Sequence, residues 1–159
     1  MSSSRLGIIS DTHGLLRPEA IEALRGVAHI LHLGDVGKLE ILEQLRALAP
    51  VTAVRGNVDK GPWAESLPLT EVFEWEGHFL YLIHSLDELD LNPAAAGFQV
   101  VLYGHSHKPT METKEGVLYL NPGSAGPFRF KLPVTLAYLR FNNEGPEVEM
   151  VELVSRAKG

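Results

Sequence analysis

The stretch Leu6-Gly7-Ile8-Ile9-Ser10-Asp11-Thr12-His13-Gly14 sets the reading of the whole chain. Leu6, Ile8 and Ile9 form a short apolar run, the mark of a buried strand from Arg5 to Ser10. That strand runs into Asp11 and His13. The same arrangement recurs downstream. A strand at His29 to Leu33 leads to Gly34-Asp35, and one at Val51 to Arg55 leads to Gly56-Asn57-Val58-Asp59. A strand from His78 ends in His84-Ser85, and one at Gln99 to Tyr103 ends in Gly104-His105-Ser106-His107. Each delivers an Asp, Asn or His at its carboxyl end.

Between the first three strands lie helical patterns. Pro18 suits a first helical turn, where its missing N–H has no partner anyway. From Lys38 to Ala49, Leu39, Leu42, Leu45 and Leu48 form an apolar stripe, with Pro50 as the stop. Strands joined by helical crossovers run parallel, so the first half reads as α/β. The second half is mostly strand. Glu76-Gly77 and Glu115-Gly116 are two-residue hairpin signals, the latter between Met111–Lys114 and Val117–Asn121. Val134 to Phe141 and Glu147 to Val154 flank a third turn, with a bulge expected where the alternation slips at Val151. Nothing resembles a linker, so residues 1–159 are expected to be a single domain.

Composition narrows the chemistry. The chain is 45% hydrophobic and 21% charged, as in ordinary globular proteins. No apolar run suffices to span a bilayer, and Met1 to Arg5 lacks the apolar segment of a secretory signal, so a cytoplasmic protein without membrane partners is expected. A net charge of −6 without a basic patch argues against a stable nucleic-acid complex. The chain has no cysteine and seven histidines. Any metal is therefore held by nitrogen and oxygen alone.

Open α/β sheets bind ligands beyond the carboxyl ends of their strands. The loops should therefore gather Asp11, His13, Asp35, Asn57, His84, His105 and His107. Carboxylate, amide oxygen and neutral imidazole suit borderline divalent metals. Seven donors exceed what one tetrahedral ion needs; they fit two ions that share a carboxylate. Taken singly, Asp-x-His is a helix cap and Gly-Asp a turn; their order along the chain favours a metal site. His29, His32 and His78 fall within or beside strands and read as structural.

These ordered motifs resemble the calcineurin-like metallophosphoesterase superfamily, with its D-x-H, G-D, G-N, H and G-H-x-H pattern. Asn121-Pro122-Gly123-Ser124 resembles a loop of its small single-domain bacterial and archaeal phosphodiesterases. The resemblance implies a four-layer αββα sandwich of two mixed sheets flanked by helices. It implies one metal on Asp11, His13, Asp35 and His107, and a second on the bridging Asp35 with Asn57, His84 and His105. Manganese is the first expectation, with nickel, iron, cobalt or zinc admitted by the same donors. A water activated by both metals would attack a small phosphodiester, which makes Asp11, Asp35, Asn57 and His84 the expected catalytic set.

Two positions depart from the pattern. Val58 stands where many members have a histidine that contacts the phosphate or protonates the leaving group, a departure shared by the small branch. Ser85 stands where glycine often follows the metal-binding histidine. Asp59 is read as orienting a ligand or capping its turn. Arg55 and Arg129 are the nearest candidates to bind the substrate phosphate. Trp63, Phe128 and Phe130 fall in expected loops and would line a pocket or a homo-oligomer interface, a dimer or tetramer, or else lie buried under a loop. The alternatives are a phosphomonoesterase, or a non-catalytic metal-binding scaffold like the retromer subunit that shares this fold.

Overall fold

In the computed structural model the described residues are 4–129 and 131–154. In chain order the elements are β1 (Leu6–Ile9), α1 (Pro18–Leu24), β2 (His29–His32), α2 (Leu39–Arg46), β3 (Val51–Ala53), α3 (Pro62–Glu65), β4 (Thr70–Trp75) and β5 (His78–Ile83). There follow α4 (Pro93–Ala96), β6 (Val100–Leu102), β7 (Thr110–Lys114), β8 (Val117–Asn121), β9 (Val134–Asn142) and β10 (Gly145–Val154). A 3-10 turn at Leu86–Glu88 lies between β5 and α4.

Two five-stranded mixed sheets result, in the orders β10-β9-β1-β2-β3 and β4-β5-β6-β8-β7. β1, β2 and β3 are parallel, as are β5, β6 and β8; β9 runs antiparallel to β1, and β4 and β7 are antiparallel edges. β1 is central because both its faces are apolar. Leu6 and Ile8 face the second sheet and pack with Leu80, Leu82, Val100, Leu102, Leu118 and Leu120. Ile9 faces outward, where Leu24 of α1 and Ile41, Leu42 and Leu45 of α2 cover it. The outer face of the second sheet is covered more thinly, by Leu86, Leu89, Leu91 and Phe98 from the turn and α4 region. This is the expected four-layer arrangement.

Several details differ from the sequence reading. α2 buries Ile41, Leu42 and Leu45, while Leu39 is 36% exposed. A strict i, i+3 stripe falls short of a full turn at each step and drifts around the helix, so Ile41 replaces Leu39 on the buried face. The irregularity in β10 lies between Glu152 and Val154, where the register against β9 shifts, rather than at Val151. Trp63 sits in α3 and packs on the helix-side core. Phe128 is in a loop and 41% exposed; Phe130 lies outside the described residues. No helix among the described residues is long and apolar enough to cross a membrane.

His29, His32 and His78 are structural, as read from the sequence. His29 pairs with Thr52 Oγ1 at 2.9 Å and packs on Phe73, and His78 stacks on Phe141 at 3.9 Å between ring centroids. His32 is fully buried.

Candidate metal centre

Packing the two sheets face to face brings the carboxyl ends of β1 and β2 against those of β5 and β6. Six side chains gather there in two groups, Asp11–His13–His107 and Asp35–His84–His105, and within each group the donor atoms lie within 4.8 Å of one another. The groups interlock. His84 Nε2 is 3.2 Å from Asp35 Oδ2, and His13 Nε2 is 3.5 Å from the same oxygen. Asp11 Oδ1 has three imidazole nitrogens around it: His107 Nε2 at 3.5 Å, His13 Nε2 at 3.7 Å and His84 Nε2 at 4.0 Å.

Asp11 Oδ1 is nevertheless buried with no hydrogen-bond partner, and so is His84 Nε2. Buried polar atoms are nearly always paired, because an unpaired one forfeits its hydration for nothing. Nitrogen and oxygen lone pairs converging without donors between them fit a cation. The other polar atom of Asp11, of Asp35 and of His84 is already occupied. Asp11 Oδ2 accepts from Ser10 Oγ at 2.7 Å and from the His105 N–H at 3.1 Å. Asp35 Oδ1 accepts from the Val58 N–H at 3.0 Å. His84 Nδ1 lies 2.7 Å from Leu33 O, which requires a proton on Nδ1 and turns Nε2 inward. The residues present therefore fit divalent metal ions.

The backbone reinforces this. Asp11, His13, Asp35, His105 and His107 have φ of 57°, 49°, 56°, 77° and 67°, in the left-handed region that L side chains seldom occupy. Among the described residues the only other non-glycine positions there are Glu76 and Glu115, each in a hairpin turn before glycine. Strain gathered on the donor residues marks a site whose geometry the rest of the fold enforces.

Electrostatics agree. Burial would raise the pKa of Asp35, but the His84 imidazole 3.2 Å away and the Val58 N–H outweigh it and hold the carboxyl well below its usual range. Burial would likewise lower His84, yet Asp35 and Asp11 outweigh it and push its pKa up. Both shifts say that positive charge is favoured between these residues. Burial lowers His107, against the pull of Asp11.

The calcineurin-like phosphoesterase superfamily domain matches residues 5–144. The chain belongs to this superfamily. A probable metallophosphoesterase of Methanothermobacter thermautotrophicus is 35% identical over 158 residues, covering 92% of this chain and 91% of that protein. Among solved structures, an archaeal phosphodiesterase superposes with a TM-score of 0.79 at 25% identity, covering 94% of this chain and 99% of its own. Vps29 of Entamoeba histolytica, solved with zinc, gives a TM-score of 0.71 at 22% identity over 94% of this chain and 99% of its own, a likeness of fold alone.

The remaining family positions are less enclosed. Asn57 is exposed in the loop after β3. Both its neighbours touch Asp35: Val58 through its N–H, and Gly56 so closely that a Cβ there would strike the Asp35 backbone and carboxylate. Val58 is 47% exposed. Arg55 is half-buried, its N–H bonded to Pro68 O at 2.8 Å. Arg129 is exposed and close enough to His107 to lower that residue's pKa.

Several supporting residues had little signal in the sequence. Asp59, read as orienting a ligand or capping its turn, binds the backbone of the Asp35 loop and of its own. It accepts from Gly56 N at 2.8 Å, Gly37 N at 2.9 Å and Val36 N at 3.2 Å, stapling the Asp35 loop to the Asn57 loop. Thr12 Oγ1 donates to Val36 O at 2.9 Å and therefore accepts from His32 Nε2 at 3.1 Å, while His32 Nδ1 accepts from Gly34 N at 3.1 Å. The Asn121–Ser124 segment braces both sheets: Asn121 Nδ2 donates to Gly104 O at 3.2 Å and Ser106 Oγ at 3.1 Å, and Ser124 Oγ to Asp11 O at 3.0 Å.

Proposed function

We propose that the protein is a divalent-metal-dependent phosphodiesterase working on a small phosphodiester with two metal ions. The observation that carries this is Asp11 Oδ1, buried, unpaired and ringed by three imidazole nitrogens within 4.0 Å. Asp11, His13, Asp35 and His107 would hold one ion, and Asp35, Asn57, His84 and His105 the other. Bound in such a pair, metals lower the pKa of water and clamp the attacking and leaving oxygens of an in-line displacement. Manganese is the first choice, and nickel, iron, cobalt and zinc suit the same donors.

The protein supplies position and charge, which is most of what phosphoryl transfer requires. Ser10 and the His105 N–H fix the Asp11 rotamer, and Leu33 O fixes the His84 ring. Arg129 and Arg55 are the candidates to meet the non-bridging phosphate oxygens. Val58 has no proton to give, so the reading favours diesters with leaving groups that depart unaided. The relatives named metallophosphoesterase and phosphodiesterase support hydrolysis of phosphoesters.

The test is protein stripped of metal, reloaded with manganese or nickel, and assayed side by side on an aryl phosphodiester and the matching monoester. Metal-dependent turnover of the diester, abolished in His84→Ala and Asn57→Ala, is expected. Full activity in either variant would sink the site assignment, and faster monoester turnover would make the protein a phosphomonoesterase. A second reading, a metal-binding scaffold without catalysis, draws on exposed Val58 in the histidine position. Absence of turnover with every metal would favour it.

A further inference from the structure

A cavity of about 260 Å³ opens beside the second donor group, lined by Ser85, Leu86, Asp87, Tyr103, His105 and Ser106 around Gly104. His105 belongs to both, with its donor nitrogen in the Asp35–His84–His105 group and its surface on the cavity. A phosphoryl group held at the donor residues would therefore have one substituent within reach of this space.

The walls are fixed before anything binds. Leu86 and Tyr103 pack against the apolar cluster over the outer face of the second sheet, and Thr110 lies beside the Tyr103 hydroxyl. Ser106 Oγ accepts from Asn121 Nδ2 at 3.1 Å and from the Lys108 N–H at 3.2 Å. The volume falls just below the range of about 300–1,000 Å³ typical of pockets for drug-sized ligands. It suits one ring, not a whole nucleotide. Tyr103 and Leu86 offer apolar surface to such a ring. The described lining contains no lysine or arginine, and Asp87 puts a carboxylate at the exposed side. An arm bearing its own negative charge would be repelled there.

Resting on the phosphodiesterase reading above, we propose that this cavity is the subsite for one ester arm of the substrate, that it takes a neutral ring-sized group, and that Asp87 excludes anionic arms. The site then selects diesters by the size and charge of an arm, while the donor residues handle the phosphoryl group common to all of them.

The test is calorimetric binding of phenylphosphonate and methylphosphonate to the manganese-loaded protein, which needs no turnover. Wild type should bind the phenyl compound roughly tenfold or more tightly, as burying an aromatic ring predicts. Asp87→Trp, at an exposed position, fills the cavity and should erase that preference while methylphosphonate affinity stays the same. Asp87→Phe stands in if the larger ring disturbs the fold, with methylphosphonate affinity as the check. In Asp87→Asn, 4-carboxyphenylphosphonate should gain affinity relative to phenylphosphonate. Equal binding of phenyl and methyl compounds by wild type, or a preference that survives the filled cavity, overturns the subsite and leaves the phosphoester reading standing. An Asp87→Asn variant that does not favour the carboxylated ligand overturns the charge filter. Failure of wild type to bind either phosphonate overturns the phosphoester reading and the subsite with it.

Discussion

Asp11 Oδ1 and His84 Nε2 face each other at 4.0 Å across the join between the two sheets, both buried and neither hydrogen-bonded. One comes from the end of β1 and the other from the end of β5, so whatever satisfies them also ties one sheet to the other.

Metal should therefore stabilise the whole fold. With free manganese at about 100 times its dissociation constant, the gain is about 2.7 kcal/mol. Thermal unfolding followed by circular dichroism, with manganese and then with chelator, should show a clear fall in midpoint on chelation. Asp11→Asn should abolish the difference. Identical midpoints with and without metal in wild type would remove the metal centre from this account.

Asp59 works without touching a ligand position. Asp59→Ala leaves the Gly56, Gly37 and Val36 N–H groups without their acceptor, which should cost roughly 2–6 kcal/mol of stability at about 1–3 kcal/mol for each of the two buried donors, Gly56 and Val36. Because those N–H groups hold the Asp35 and Asn57 loops together, manganese affinity should also fall, by roughly 10–100-fold. Titration calorimetry checks the second effect. Unchanged affinity in a folded Asp59→Ala protein would reduce the residue to a structural staple.

His32 sets an acid limit. Burial lowers its pKa from 6.5 to about 4, and its Nδ1 accepts a backbone hydrogen bond that a proton would abolish. The unfolded chain takes up that proton below about pH 6.5, and the folded protein resists it until about pH 4. Stability is thus fully present above pH 6.5 and lost as pH falls toward 4, by roughly 3 kcal/mol at about 1.4 kcal/mol for each pKa unit. Urea denaturation of metal-free wild type and His32→Gln at pH 7 and pH 4 should show a steeper loss in wild type. Parallel losses would assign acid sensitivity elsewhere.

Val58 offers a gain of function. Val58→His restores a proton donor at an exposed position next to Asn57, and general acid help is worth about 10²–10⁴ in rate. Diesters with poor alkoxide leaving groups should be hydrolysed at least roughly tenfold faster, and an activated aryl diester little faster. Equal acceleration of both would mean that the histidine acts on binding rather than on the leaving group.

The donor residues were legible because each follows an apolar run that could only be a strand, and the strands' parallel course puts their ends together. Asn57 was legible by type, yet like His105 it is exposed rather than enclosed with Asp11, Asp35, His84 and His107. The positive φ of Asp11, His13, Asp35, His105 and His107 was not legible: aspartate and histidine do not advertise that conformation as glycine does. Nor was the reach of Asp59, whose acceptors' partners lie as far back as Val36. Leu39 misled because a repeat of three nearly matches a helical turn and departs from it steadily. The pairing of β9 with β1 joins Leu139 to Leu6, and no local pattern names a partner so distant.

That last pairing has a consequence for how the protein comes into being. β1 emerges from the ribosome long before β9, yet β9 closes the edge of the strand that carries Asp11. Pairings so far apart in sequence form slowly, since a long loop must close before any contact rewards it. The first sheet can hold only β1, β2 and β3 until β9 has been made, and in that interval β1 offers an open apolar edge to other chains. Newly made protein is therefore most vulnerable to aggregation before the β9–β10 hairpin arrives, and shortening that hairpin should harm yield during expression more than it harms the activity of molecules that do fold.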